Sequence, residues 1–237
     1  MSYTARKPND SMTTENIQTP PTLAEAPSGR VSSGPSLGSD FQEFPKIARL
    51  SRECIISEKI DGTNAQILIT DSGEMHIGSR TRWLTPETGD NHGFMLWALT
   101  HKDELMRLGV GRHFGEWWGS GIQRGYGLPK GEKRLSLFNV SRWCLHGATP
   151  ERIATADPRI EKYQDVLPPC VGLVPVLYRG IFTTDACEAA IADLRANGSK
   201  ASPGFAKPEG IVCFHVAANA GFKKTLEKDE VPKSFRA

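Results

Sequence analysis

The stretch Glu58-Lys59-Ile60-Asp61-Gly62-Thr63-Asn64 decides the reading of this chain. It sits between two short apolar runs, Cys54–Ser57 before it and Ala65–Thr70 after it, so Lys59 falls in a tight loop opening from a sheet. Gly62 gives that loop backbone shapes that other residues resist. Lys59 then has two readings. In an ordinary surface turn it is a solvated cation. As a nucleophile it needs an amine that has lost its proton, a state favoured by partial burial, a neighbouring cation or a metal ion. The rest of the chain has to choose between them.

Outward from this loop the pattern is mostly short strands. Ala65–Thr70 and Met75–Ser79 flank Asp71-Ser72-Gly73-Glu74, a hairpin signature. Phe94–Leu108 has helical spacing, with Leu96, Leu99 and Met106 on one side. Leu135–Trp143 and Val171–Tyr178 read as strands. Asp185–Ala196 reads as a helix, with Thr184 or Asp185 to cap its start and Gly198 just past its end. Ile211–Val216 and Phe222–Leu226 read as strands joined by the small residues Ala217–Gly221. There is no internal repeat. The class is α+β, with antiparallel strand pairs in place of a regular βαβ alternation.

Residues 1–40 are rich in Ser, Thr, Pro and Gly and poor in large apolar side chains. Such a segment buries too little surface to offset its ordering entropy, so it reads as a disordered tail, with ordered sequence from about Phe41–Phe44. The domain is then expected over residues 41–237.

Composition bounds the function. Hydrophobic residues make up 38% and charged residues 24% of 237 residues, enough for one globular core. No apolar run is long enough to span a bilayer, and the polar N-terminus lacks a signal-peptide pattern, so a cytoplasmic location is expected. Cys54, Cys144, Cys170, Cys187 and Cys213 are odd in number and lack CxxC spacing, which points to buried thiols in a reducing compartment over a disulfide framework or zinc site. A formal net charge of +2 argues against a protein that coats nucleic acid non-specifically, yet leaves room for a local basic groove. The first forty residues carry Arg6, Lys7 and Arg30 against Asp10, Glu15, Glu25 and Asp40, so the body is mildly basic.

Lys59-Ile60-Asp61-Gly62-Thr63-Asn64 resembles the first motif, KxDGxN, of the covalent nucleotidyltransferases: DNA ligases, RNA ligases and mRNA capping enzymes. Later segments resemble the family's further motifs in the right order, from about residue 44 to 228. The joint occurrence is far more specific than the first motif alone. The resemblance implies that Lys59 attacks the α-phosphate of a nucleotide. Asn64 is similar to the phage and RNA-editing type of RNA ligase, where DNA ligases and capping enzymes usually carry arginine. Glu58 also fits the RNA-ligase pattern, with an implied contact to the adenine or its ribose.

Arg80, in Ser79-Arg80, matches the family arginine that engages phosphate or the acceptor end, for which a planar guanidinium is well suited. Phe114-Gly115-Glu116-Trp117-Trp118-Gly119 resembles the third motif, with Glu116 implied as the acceptor for ribose hydroxyls and the two tryptophans read as core or pocket wall. The glycine-rich run Gly119–Gly127 lacks the strand-to-helix setting of a phosphate loop and reads as a flexible loop near the nucleotide. Leu135–Val140 resembles the strand on which family members stack an aromatic against the purine, and Phe138 is the matching residue. Lys207-Pro208-Glu209-Gly210-Ile211-Val212 resembles the fourth motif, EGxV, with Glu209 implied as a holder of Mg²⁺ or Mn²⁺. Phe222-Lys223-Lys224-Thr225-Leu226 falls where the fifth motif belongs. Adjacent residues on a strand point to opposite faces, so one of the two lysines is expected in the site, with Lys223 favoured and Lys228 a further candidate.

The implied protein is an ATP-dependent RNA ligase that seals 5′-phosphate and 3′-hydroxyl ends through a lysyl-AMP intermediate on Lys59. The implied fold is an adenylyltransferase domain of antiparallel sheets with flanking helices. Only Glu227–Ala237 follow the fifth motif, so no C-terminal OB domain is expected, and an accessory protein could replace it. Competing readings are a minimal DNA ligase, a capping enzyme, or a non-catalytic nucleotide- or RNA-binding module. The partner is an RNA end, with DNA or an RNA–DNA hybrid as alternatives.

Overall fold

The computed structural model describes residues 46–144, 167–227 and 229. The expected tail over residues 1–40, the start of order near residues 41–44, and residue 228 all lie outside them. Two sheets carry the fold. The first has the order β7-β1-β8-β9 and is antiparallel throughout: β1 is Glu53–Lys59, β7 Val176–Ile181, β8 Gly210–His215 and β9 Ala220–Thr225. The second has the order β3-β2-β4-β5-β6: β2 is Thr63–Ile69, β3 Met75–Gly78, β4 Gly111–Gly119, β5 Lys133–Leu137 and β6 Val171–Leu173. The last pair, β5 and β6, is parallel, an exception to the antiparallel expectation.

Strand β1 is buried along its length because both of its faces are covered. Cys54 and Ile56 pack beneath the helix α3 (Thr184–Asn197), against Ala190, Ile191 and Leu194. Ile55, on the other face, joins the larger core built from the second sheet. Full burial of one such isoleucine contributes about 1.5–3 kcal/mol. On β2 only alternate residues are buried, Ala65, Ile67 and Ile69, so its opposite face (Asn64, Gln66, Leu68) remains partly open. That open face is where the second sheet carries its polar groups.

The hairpin joining β2 and β3 forms as read, with the Thr70 hydroxyl accepting the Glu74 N–H at 2.9 Å across the turn. The helix α3 also forms, but its cap is one residue earlier than expected: the Thr183 hydroxyl accepts the Ala186 N–H at 3.1 Å, with Gly198 at the C-cap. Three readings need correction. The segment Phe94–Leu108 is not one helix. It breaks into α1 (Phe94–Thr100), α2 (Lys102–Leu105) and a 3₁₀ turn, Met106–Leu108, and it buries Phe94, Ala98, Leu105 and Leu108 while Leu96 and Leu99 face outward.

Strand β5 ends at Leu137 instead of running to Trp143. The Asn139 carboxamide takes over the pairing with β4, accepting the Phe114 N–H at 2.5 Å and donating to the Arg112 carbonyl at 3.0 Å, and a π-helical turn, Val140–Cys144, follows. The run Val171–Tyr178 is two strands in different sheets. The chain passes from one sheet to the other at Val174-Pro175, where proline removes a ladder donor. Strand β4, the centre of the second sheet, went unread. Among the described residues the cysteines are free thiols, with Cys54 and Cys213 buried as expected and Cys170 and Cys187 only partly buried, and no helix is long and apolar enough to cross a membrane.

Candidate active site

Lys59 is the last residue of β1, and Thr63 is the first of β2, so the three residues between them carry the chain from the first sheet to the second. A cleft of about 490 Å³ opens beside this crossing. Its walls come from both sheets: Ser57, Lys59, Val212 and Phe214 from the first, Asn64, Phe114 and Glu116 from the second, with Phe138, Asn139 and Val174 from connecting segments. Both lysine and glutamate therefore face one cavity because β1 and β2 are consecutive strands assigned to different sheets.

The crossing is tightly held. The Tyr126 hydroxyl accepts the Asp61 N–H at 3.0 Å and donates to the Lys59 carbonyl at 3.4 Å. Tyr126 is fully buried with φ 51°, packed on Trp118 and Phe205, and its carbonyl accepts the Ser202 hydroxyl at 2.7 Å. Burial pushes its phenol pKa further up, so it remains a neutral donor. The Arg124 guanidinium lies 3.1 Å from Asp61 Oδ2 and donates to the Lys207 carbonyl at 3.1 Å, tying the crossing to the segment that leads into β8. Gly62 is required for space. A Cβ there would lie 2.4 Å from the Trp117 carbonyl oxygen and 2.8 Å from the Trp118 Cβ. Gly62 is not among the residues with positive φ, so the expectation of an unusual backbone shape gives way to one of close approach.

Lys59 Nζ lies 2.6 Å from Glu209 Oε2, with the two side chains 25% and 15% exposed. Glu209 directly precedes β8, whose Gly210 pairs with Lys59 itself. Gly210 has φ 154°, and a Cβ there would sit 2.2 Å from the Lys224 carbonyl oxygen, so only glycine fits. Across the cleft Glu116 Oε1 accepts the Gly62 N–H at 3.0 Å and Oε2 accepts the Asn64 side-chain amide at 3.2 Å. Asn64 and Glu116 are direct partners in the β2–β4 ladder, which sets this contact. Burial pushes the Glu116 carboxyl up to about 7, with Glu209 and Asp61 adding to the rise and Lys59 and the Gly62 N–H opposing it. Asn91 supports Asn64 from behind: it accepts the Thr63 hydroxyl at 3.1 Å and donates to the Asn64 carbonyl at 3.2 Å.

The RNA ligase family model matches residues 52–226, which is most of the chain and all of this site. The chain belongs to the RNA ligase family. Its fold is similar to that of Naegleria gruberi RNA ligase. A variant of that protein with AMP and manganese gives a TM-score of 0.52 at 19% identity, covering 77% of this chain and 53% of the other. A variant with ATP and manganese gives 0.52 at 19% identity, covering 77% and 52%. The chain thus spans about half the length of the solved structures it matches. No curated protein matches the sequence.

Within this RNA ligase family core, the structure gathers Lys59, Asn64, Glu116, Phe138 and Glu209 around one cleft. It separates the two lysines of β9. Lys223 pairs with Val212, which lines the cleft, and is exposed on that face. Lys224 pairs with Ile211, which packs under α3, and its ammonium bonds Glu188 of that helix; this bond holds its pKa above the ordinary lysine value. Lys224 is therefore off the site, as strand alternation requires.

The same alternation corrects Glu58. Its carboxylate lies opposite Lys59, only 1% exposed, and accepts the Ser199 hydroxyl at 2.6 Å, the Lys200 N–H at 2.7 Å and the Ala201 N–H at 2.9 Å. The carboxylate anchors the turn after α3, while Glu58 remains among the residues that line the cleft. Arg80 lies exposed in the turn after β3, off the walls of the cleft. The run Gly119–Gly127 is no flexible loop: Ile122 and Tyr126 are buried and brace the lysine crossing. Sequence reasoning missed Tyr126, Arg124 and Asn91 as positioning residues. For Tyr126 the signal was its place in a glycine-dense run, since closely spaced glycines mark a backbone forced into close approach.

Proposed function

We propose that this chain transfers AMP from ATP to Lys59 and then to the 5′-phosphate of an RNA end, which a 3′-hydroxyl attacks to seal the strand. One observation carries the reading: Lys59 and Glu209 form a 2.6 Å pair at a cleft whose opposite wall offers Glu116 and Asn64. Family membership supports the substrate class, and the Naegleria neighbours bear ATP, AMP and manganese.

In the first step Lys59, held in place by Glu209, releases a proton to solvent and its free amine attacks the α-phosphorus. A nitrogen–phosphorus bond forms as the bond to pyrophosphate breaks. Lys223, on the cleft face of β9, neutralises charge that develops on the phosphates. Phe138 on one wall, with Val212 and Phe214 on the other, provides an apolar slot for the adenine. Glu116 accepts from the ribose hydroxyls. In the second step an oxygen of the 5′-phosphate displaces Lys59 from AMP. In the third the 3′-hydroxyl attacks that phosphate and AMP leaves. Such phosphoryl transfers depend mainly on positioning and charge neutralisation.

A divalent cation fits this donor set. The Glu209 carboxylate stands at the cleft beside Lys59 with the Glu116 carboxylate on the opposite wall, and such oxygen donors are the kind that Mg²⁺ and Mn²⁺ take. Among the described residues no group of three or more metal-ligating side chains converges, and Glu209 would be the residue to hold such an ion. The ion would supply charge neutralisation at the phosphates.

The test is transfer of label from α-labelled ATP to the protein, with GTP as competitor, followed by a chase with 5′-phosphorylated RNA or DNA. Label that resists GTP and moves preferentially to RNA supports the reading. Label taken equally from GTP points to a capping activity, preferential chase to DNA points to a DNA ligase, and no label at all leaves a binding module.

A further inference from the structure

Resting on the RNA ligase reading, we infer that the open face of the second sheet, carrying Trp83 and Arg112, binds unpaired bases of the RNA strand next to the end being joined. The strand register lays out this face in rows. The first row, Glu116 and Asn64, lies in the cleft. Two residues further along each strand, about 7 Å away, come Phe114, Gln66 and Gly78. The third row is Arg112, Leu68 and His76. Trp83 bridges back to Gly78, and its ring lies over that glycine: a Cβ on Gly78 would meet the ring at 3.0 Å.

Two large aromatics stay open on this face, Phe114 at 38% and Trp83 at 40% exposure. The Arg112 guanidinium lies 5.5 Å from the Trp83 ring centroid, and the His76 ring lies 5.6 Å away, tilted by 48°. His76 Nε2 also lies 3.8 Å from Glu74. Arg80 stands exposed in the turn that leads from Gly78 to Trp83. The face therefore begins at the nucleotide cleft and continues outward as alternating aromatic and basic side chains. Exposed aromatics on a sheet, interleaved with arginines, suit stacked bases with their phosphates alongside. Charge complementarity selects a polyanion over a second copy of this chain. The stacking surface selects unpaired bases over a duplex, whose bases are already stacked.

The experiment uses the full chain and a fluorescein-labelled, unstructured single-stranded RNA, read by anisotropy, with the matching RNA duplex in parallel. Self-adenylylation with ATP is measured on the same preparations. Trp83→Ala and Arg112→Ala are each expected to weaken single-strand binding by roughly tenfold while self-adenylylation stays at the wild-type level, and Trp83→Phe is expected to restore most of the binding. Wild-type affinity in Trp83→Ala overturns the inference, as does equal sensitivity of the duplex. Loss of adenylylation along with binding in Trp83→Ala, unrescued by Trp83→Phe, assigns the ring a structural role and also overturns it. A wild-type protein that binds the RNA through Trp83 but never takes up AMP would separate the failure of the ligase reading from that of this face.

Discussion

Replacing Glu116 with glutamine should make the protein more stable and a worse enzyme, with a pH dependence that identifies the cause. Burial pushes the Glu116 carboxyl up to about 7 from an ordinary value of 4.5. Between those values the folded protein binds a proton that the unfolded chain has released, so stability falls as pH rises through this window. At about 1.36 kcal/mol per tenfold change, the full effect is roughly 3 kcal/mol. Glutamine keeps the shape, can still accept the Gly62 N–H, and can pair with a turned Asn64 amide, but it has no charge to bury. The difference in unfolding free energy, Glu116→Gln minus wild type, should thus grow from its value near pH 5 to a plateau above about pH 7, by roughly 3 kcal/mol. Denaturant unfolding across that pH range measures it, with the difference cancelling most other titrating groups. The same substitution should raise the KM for ATP about tenfold or more, since a charged acceptor for the ribose is lost. A stability difference that does not change with pH would refute the argument, because it would mean that the carboxylate ionises freely in this cleft.

The other predictions follow from the same geometry. Lys223→Ala should slow self-adenylylation about a hundredfold or more, whereas Lys224→Ala should leave its rate within about twofold and cost only a few tenths of a kcal/mol, because the ion pair with Glu188 is largely solvent-screened. Equal losses for the two lysines would contradict the assignment of faces. Glu58→Ala should destabilise the fold by about 2–4 kcal/mol by stranding one buried and two part-buried donors, measured by unfolding. A Glu58→Ala protein of normal stability that fails to use ATP would restore Glu58 to the nucleotide. Gly62→Ala should cost about 1–3 kcal/mol and depress adenylylation, because the new methyl collides with the Trp117 carbonyl.

The sequence was most informative where chemistry is local. Lys59, Glu116 and Glu209 were legible as candidates because the short motifs that hold them resemble those of a known family in the right order, and strand alternation limited the fifth motif to one of Lys223 and Lys224 without saying which. The same rule applied to Glu58 would have turned its carboxylate away from Lys59, toward α3. What stayed hidden depends on contacts between distant segments. Strand β5 stops because Asn139 bonds β4 through its side chain, a pairing that no local propensity encodes. The run from Phe94 was read on the wrong face: Phe94, Ala98 and Leu105 are the buried residues while Leu96 and Leu99 face outward, and the break after Thr100 separates the two halves. Tyr126, Arg124 and Asn91 lie 65, 63 and 27 residues from the groups they hold, so their roles exist only in the folded chain.

The most direct test of the account is peptide-level mass spectrometry of the protein after incubation with ATP and Mg²⁺. The account predicts a mass increment of one AMP on the peptide that contains Lys59, bound through an acid-labile phosphoramidate and released by added pyrophosphate. The increment should be absent from Lys59→Ala. An AMP adduct on another residue, or persistence of the adduct in Lys59→Ala, would contradict it.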